Sequence, residues 1–190
     1  MIIVSAVVLI LVVIVAWLFG TYNNFVQLRT GADAMWAQIE TQYQRRADLI
    51  PQLVSTVQGA ANFESGVLVD VTEARTQWLN TQSNPNATID EQISASASMD
   101  SALSRLLVTV ESYPTLTATE GFITLQSQLE GTENRVAVAR RDYNESVRVY
   151  DAAVQLIPGR FVAGMFGFTA YPYFESSEGA QNAPAVQFEF

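Results

Sequence analysis

A chain of 190 residues that is 49 % hydrophobic and only 15 % charged has apolar material for a sizeable core and an appendage. Its net charge of −9 argues against a nucleic-acid partner. All ten basic residues are arginine, and lysine, histidine and cysteine are absent, which excludes disulfides, His/Cys zinc sites, iron–sulfur clusters, Ser–His–Asp and Cys–His nucleophile systems, Schiff-base lysines and P-loops, and leaves no implied cofactor.

Residues 2 to 19, "IIVSAVVLILVVIVAWLF", are uncharged, with Ser5 as the one polar side chain. A bilayer core of ~30 Å needs about 20 such residues, so the run is long enough to span. Trp17, Phe19 and Tyr22 follow where an interfacial aromatic belt would lie. A cleaved signal peptide is the alternative, opposed by the missing basic n-region and by the length of the run. The reading is a single-pass anchor over 1–21. Arg29, with Arg45 and Arg46 beyond it, follows the span, so the positive-inside rule leans towards a cytoplasmic soluble domain.

From Tyr22 onward, Phe25, Leu28, Ala32, Met35/Trp36, Ile39, Tyr43, Ile50, Val54 and Val57 form a helical stripe that leaves the membrane directly. Pro51 interrupts it. Either Pro51 sits inside one kinked helix, with the freed Ala47 carbonyl taken by the guanidinium of Arg45 or Arg46, or a new helix starts there. Gly59 and Asn62 mark a turn. A second helix, 63–80, carries Leu68, Val71, Ala74 and Trp78 on one face. A polar loop, 80–91, leads to a cap near Asp90 and a third helix with Ile93, Ala97, Leu103, Leu106/Leu107 and Val110, ended by Pro114.

The fourth helix has the strongest pattern: Phe122, Leu125, Leu129, Thr132, Val136, Ala139, Tyr143, Val147, Tyr150, Val154 and Ile157 alternate by threes and fours, coiled-coil fashion. Thr117 or Thr119 would cap it, and Pro158-Gly159 stops it. The predicted fold is all-α: a transmembrane helix continuing into an antiparallel bundle over 22–158, two helices long and two shorter, followed by an aromatic, irregular tail over 159–190. Each long helix measures about 60 Å and each short one ~30 Å at 1.5 Å per residue. The short pair therefore covers the membrane-distal half, and the proximal seam is bare unless something else packs there.

Antiparallel pairing places residue r of the first helix opposite about 177 − r of the fourth, within a turn. That brings Arg45 and Arg46 towards Glu130 and Glu133, and Glu40 towards Arg135, Arg140 and Arg141. Arg45, Arg46, Asp48, Glu133, Asn134, Arg140 and Arg141 are read as a structural polar seam that sets register. A recognition site for a partner or an anionic ligand is the alternative. Asp70 and Glu73, with Glu64 nearby, could offer carboxylates to a hard cation, though a solvated acidic face is the commoner meaning. The tail concentrates Phe161, Met165, Phe166, Phe168, Tyr171, Tyr173 and Phe174 where the fourth helix returns to the bilayer. It could lie in the lipid interface anchored by Arg160, fold back over the bare seam, or fill that seam on a neighbouring copy. The last ten residues, "QNAPAVQFEF", read as extended and able to add to a partner.

"YNNFVQLR", "RRADLIPQLVSTVQG", "VTEAR", "ENRVAVARRDYN" and "GFTAYPYFE", in this order from Tyr22 to near the C-terminus, resemble the LemA family of membrane-anchored bacterial proteins. The resemblance implies a four-helix-type bundle behind one N-terminal span, and no catalytic activity, since the family has no established biochemical function. Relatives that organise bacterial membrane compartments, or lie beside membrane metalloprotease genes, are part of what it implies. The chain departs from the family pattern at Gln58, Ala60 and Phe63-Glu64, where Lys, Tyr and His-Glu are usual, and at Asp151, where asparagine is common. A role for that histidine is ruled out here. The expected function is a non-catalytic scaffold or interaction protein that self-associates and organises membrane proteins or lipid. A dedicated adaptor of one membrane enzyme and a carboxylate metal enzyme are the alternatives.

Overall fold

The computed structural model describes residues 1–59 and 64–175. Among them are six helices and no strand: α1 Ile2–Gln58, α2 Ser65–Ser83, α3 Ile89–Val110, α4 Pro114–Thr117, α5 Glu120–Gln155 and α6 Gly159–Phe166. Ala60 and Phe63, and the segment 181–190 read as extended, lie outside the described residues.

α1 is one continuous helix of 57 residues, ~85 Å long at 1.5 Å per residue. Its apolar residues up to Trp17 are exposed, and the run is long and apolar enough to cross a membrane. The remainder pairs antiparallel with α5. Trp36 meets Tyr143, with ring centroids 5.3 Å apart, and Arg46 meets Glu133, so the register lies two residues from the expected one.

Pro51 lies inside α1, which does not restart there. The carbonyl of buried Ala47 does find a guanidinium, but the donor is Arg75 of α2, with Nε at 2.8 Å, rather than Arg45 or Arg46. Across the proline the buried line runs Ile50, Leu53, Val57, while Val54 is only half-buried.

α2 and α3 form an antiparallel hairpin on the distal half. The expected face Leu68, Val71, Ala74, Trp78 is buried in full. The start of α3 is capped by Thr88 rather than near Asp90. Its hydroxyl accepts from Glu91 N–H at 3.2 Å, and the Glu91 carboxylate takes the Thr88 N–H at 2.8 Å. The buried line of α3 runs through small residues, Ala95, Ser96 and Ala102, besides Met99, Leu103, Leu106 and Val110. Ile93 packs partly buried against the core and also borders a cleft, while Ala97, expected inside, is exposed there. The short α4, not foreseen, follows Pro114, and Thr119 caps α5 through Phe122 N–H.

At the membrane-proximal end the tail opens with α6, closed by Gly167 in the left-handed region (φ 76°), where a side chain would be strained. From Phe168 the chain runs back along the α1–α5 pair as a strap. A second apolar cluster joins Phe25, Tyr150, Val154, Val162 and Ala163, with Leu18 and Phe168 packed against it. Strap and α6 thus cover the proximal seam that the short hairpin cannot reach.

Candidate functional site

Three helices bring polar side chains together at the centre of the bundle. Tyr43 and Arg46 come from consecutive turns of α1, Glu133 and Arg140 from α5, and Asp100 from α3. Asp100 is the hub. One carboxylate oxygen accepts from Arg46; the other accepts from Tyr43 Oη at 2.8 Å and from Arg140. Arg46 also reaches Glu133, and Arg140 also donates to the Tyr43 hydroxyl. Both guanidinium groups lie over the Tyr43 ring, at 5.7 and 5.5 Å, and Arg140 lies 4.9 Å from the Phe174 ring centroid. Two turns nearer the membrane, Trp36 Nε1 donates to Gln92 Oε1 at 2.9 Å.

Arg46 is only 3 % exposed, so its charge requires these partners. Burial pushes the Asp100 carboxyl up to about 6, against the pull of Arg46, and the Glu133 charge adds to the rise. Burial lowers the Arg140 pKa. The cluster holds each charge against another across three helices, and Tyr43 brings no free nucleophile.

Beside this cluster α3 and α5 diverge and leave a cleft of about 910 Å³. Ile93, Leu103, Leu107, Val110, Phe122 and Leu129 supply apolar walls, and Glu111, Glu130, Glu133 and Glu175 make its rim acidic. Counting from Ile93 to Glu111, it runs ~27 Å along α3.

The strap is fastened through the backbone of Thr169, Tyr171, Pro172 and Phe174. Tyr150 Oη donates to the Thr169 carbonyl at 2.9 Å, and Tyr143 Oη to the Pro172 carbonyl at 2.9 Å. Asp151 accepts the Tyr171 N–H at 3.1 Å, a task open to asparagine's oxygen as well. Asn144 both donates to the Phe174 carbonyl and accepts its N–H, each at 2.9 Å. Tyr171 Oη donates to Asp33 at 2.6 Å and accepts from Arg29 at 3.2 Å, while burial and then the Asp33 bond raise its pKa. Phe174 stacks on Trp36 at 5.6 Å.

The structure divides the residues singled out in the sequence. Arg46, Glu133 and Arg140 meet in the cluster, and Asn134 borders the cleft. Arg45 is exposed, Asp48 accepts from Gln44 at 2.8 Å on its own helix, and Arg141 pairs with its neighbour Asp142 at 3.0 Å. These three are not part of the seam. Phe168, Tyr171 and Phe174 pack on their own bundle, whereas Phe161, Met165 and Phe166 are exposed and Tyr173 is partly so. Asp70 pairs with Arg105 at 3.0 Å, and no group of three or more metal-ligating side chains occurs among the described residues. Asp100, Tyr43, Arg75, Asn144 and Asp151 were not anticipated as polar anchors. One signal for Asp100 was present: it is the only charge between Ile93 and Ser104.

The LemA family model matches residues 35–188, from the middle of α1 through the strap. The chain belongs to the LemA family. Similar proteins include the magnetosome proteins MamQ 2 and MamQ 1 of Paramagnetospirillum magneticum, each 26 % identical over 189 residues that cover 88 % of this chain and 70 % of the relative. Magnetosome protein MamQ of Magnetospirillum gryphiswaldense is 26 % identical over 188 residues, 88 % of this chain and 69 % of its own. The matched family region takes in the Asp100 cluster, the cleft and the strap together. With its exposed apolar run at the start of α1, this LemA protein is membrane-associated.

Proposed function

We propose that the protein is a membrane-anchored, non-catalytic scaffold that associates with copies of itself and with neighbouring membrane proteins. The observation that carries this reading is the mutual pairing in the polar cluster. Arg46, Arg140 and Tyr43 all bind Asp100, and Arg46 also holds Glu133, so these groups serve to join helices. Glu133 and the Arg140 side chain also border the cleft as part of a surface. Two kinds of surface support it. Val69, Val108, Ile123 and Val138 stand exposed on the flanks, and an anchor that confines chains to one plane raises the effective concentration at which such weak contacts act. The acidic-rimmed, apolar-walled cleft suits a basic amphipathic segment of a partner, since a second copy of this chain carries like charge. The magnetosome relatives give organelle-associated examples of the family, and a bacterial inner membrane is the proposed location.

A photo-crosslinking residue at Val138, and separately at Leu107, in native membranes tests this. Adducts of the chain with itself at Val138 support the scaffold. One foreign protein at both sites, with no self-adduct, replaces it with the adaptor reading. No protein adduct at either site refutes it. Amine-reactive reagents are of little use for a chain without lysine.

A further inference from the structure

α6 has two faces. Val162 and Ala163 are buried, and Gly159 lies so close to the core that a Cβ there would come within 2.2 Å of the Ala153 carbonyl oxygen and 3.1 Å of Phe25 Cζ. The opposite side points outwards and is apolar: Leu156, Ile157, Phe161, Met165 and Phe166 are 65, 76, 70, 67 and 50 % exposed. So much aliphatic and aromatic surface in so short a stretch is costly in water.

Its position says what covers it. Phe166 meets Tyr22 edge-on at 5.0 Å, Phe168 meets Phe25 at 5.3 Å, and Leu18, inside the uncharged run, packs into the same cluster. α6 therefore lies beside α1 a turn or so beyond Phe19, ~5 Å along the axis from the last residue of the apolar run. The interfacial layer on each side of a bilayer is about that deep or somewhat deeper. Trp17 and Phe19, exposed on α1, mark the same level, and Arg160 flanks the apolar face where a guanidinium can reach phosphate.

We propose that α6 is an in-plane interfacial helix: Ile157, Phe161 and Met165 insert among lipid headgroups and upper acyl chains of the membrane that α1 enters. The exposed face is continuous with the lipid-facing surface of α1, so one lipid surface covers both. The strap keeps α6 in place, because its bonds to Tyr150, Asp151, Tyr143 and Asn144 leave the helix no slack to lift away. A single-pass helix alone leaves a bundle free to tilt and swivel; a second contact beside it sets the bundle's orientation to the membrane, and with it the direction in which the cleft opens.

The absence of cysteine makes the test clean. Full-length Ile157→Cys, Phe161→Cys and Met165→Cys, with Val108→Cys at the distal end as the aqueous reference, are spin-labelled and placed in nanodiscs of phosphatidylcholine and phosphatidylglycerol. Collisions with oxygen, which partitions into lipid, are compared with those of a water-soluble nickel chelate. Labels at 157, 161 and 165 are expected to favour oxygen and the label at 108 nickel, a reversal in sign of the depth parameter. Nickel access at 161 and 165 equal to that at 108 overturns the proposal. Labels shielded from both reagents overturn it too, and assign the face to protein. Because all four positions are exposed, the variants should retain the wild-type helical signal, which circular dichroism checks. The outcome does not depend on the partner at Val138 or Leu107, so the scaffold reading and this one can fail separately.

Discussion

Replacing Arg75 by methionine, which keeps the length and apolar character of the stem, leaves the Ala47 carbonyl buried with neither a helical N–H nor a guanidinium. Pro51 removes the first donor and Arg75 supplies the second, at 2.8 Å. A hydrogen bond from a charged donor contributes ~1.5–3 kcal/mol, and Arg75 is only partly buried, so the expected loss is about 1.5–2 kcal/mol. For a protein of this size that lowers Tm by roughly 3–8 °C. The mechanism makes a sharper claim than the magnitude. In a Pro51→Ala background the helix provides its own N–H to Ala47, and Arg75→Met should then cost about 1 kcal/mol less. Thermal unfolding of the four proteins of this cycle in one detergent, followed by circular dichroism, measures that coupling. Additivity within ~0.3 kcal/mol would show that Arg75 is not the substitute donor for Pro51, and would refute the account of how α1 passes through a proline.

Other expectations follow from the cluster and the strap. Asp100→Ala should destabilise by roughly 3–5 kcal/mol, because it strips buried Arg46 of one partner and Arg140 of another, whereas Glu133→Gln, whose side chain is 60 % exposed, should cost less than ~1 kcal/mol. Thermal melts of the two rank them, and equal losses would displace Asp100 as the hub. The reciprocal exchange Arg46→Glu with Glu133→Arg should not restore stability, since the new carboxylate would face Asp100; recovery to the wild-type Tm would contradict the geometry. Because the native carboxyl of Asp100 is raised to about 6 from near 4, folding binds a proton more tightly between those values. Its contribution is present below pH ~4 and lost as pH rises through 6, of order 2–3 kcal/mol in all. Wild type should therefore lose stability relative to Asp100→Asn between pH 4 and 6, and parallel pH profiles would count against it. Asn144→Ala should abolish hydrogen-exchange protection of the Phe174 amide while leaving α1 and α5 protected; retained protection would mean that the strap does not depend on that side chain.

Much of the fold was legible because helix periodicity is a local property. The stripe on α2 is buried as read, Thr119 caps α5, and the register of the long pair is displaced by two residues. Errors arise where burial depends on how closely helices approach. On α3 the large side chains Ile93 and Leu107 looked like core and do pack against it, but only partly buried. The fully buried line runs through small residues, Ala95, Ser96 and Ala102, which leaves Ile93 and Leu107 at the cleft. Past Pro51 the line moved from Val54 to Leu53. The strap was harder still. Its partners lie far away in sequence, as in Tyr171 with Asp33 and Phe174 with Trp36, and no periodicity encodes them. Composition gave the tail's aromatic character but not its division into α6, which faces out, and a strap, which faces in.

The all-arginine composition now has a structural meaning. At Asp100 two guanidinium groups bind one carboxylate, and Arg46 simultaneously holds Glu133 through its other terminal nitrogen. At Ala47 an Arg75 nitrogen stands in for a missing backbone donor, and at Tyr171 Arg29 both donates to the hydroxyl and lies near the ring. An ammonium is a compact, strongly hydrated charge. It lacks the planar fork that bridges two acceptors at fixed angles and the flat face that rests on an aromatic ring. Among the described residues a guanidinium stands at several long-range junctions: α1 with α2 at Arg75, α1 with α3 and α5 at Arg46 and Arg140, and α1 with the strap at Arg29. The arginines thus act as joints between helices whose apolar stripes alone would allow sliding by a turn. Such joints fix the cleft's place along the α1–α5 pair, and the proposed contact of α6 with lipid would also fix the cleft's direction relative to the membrane.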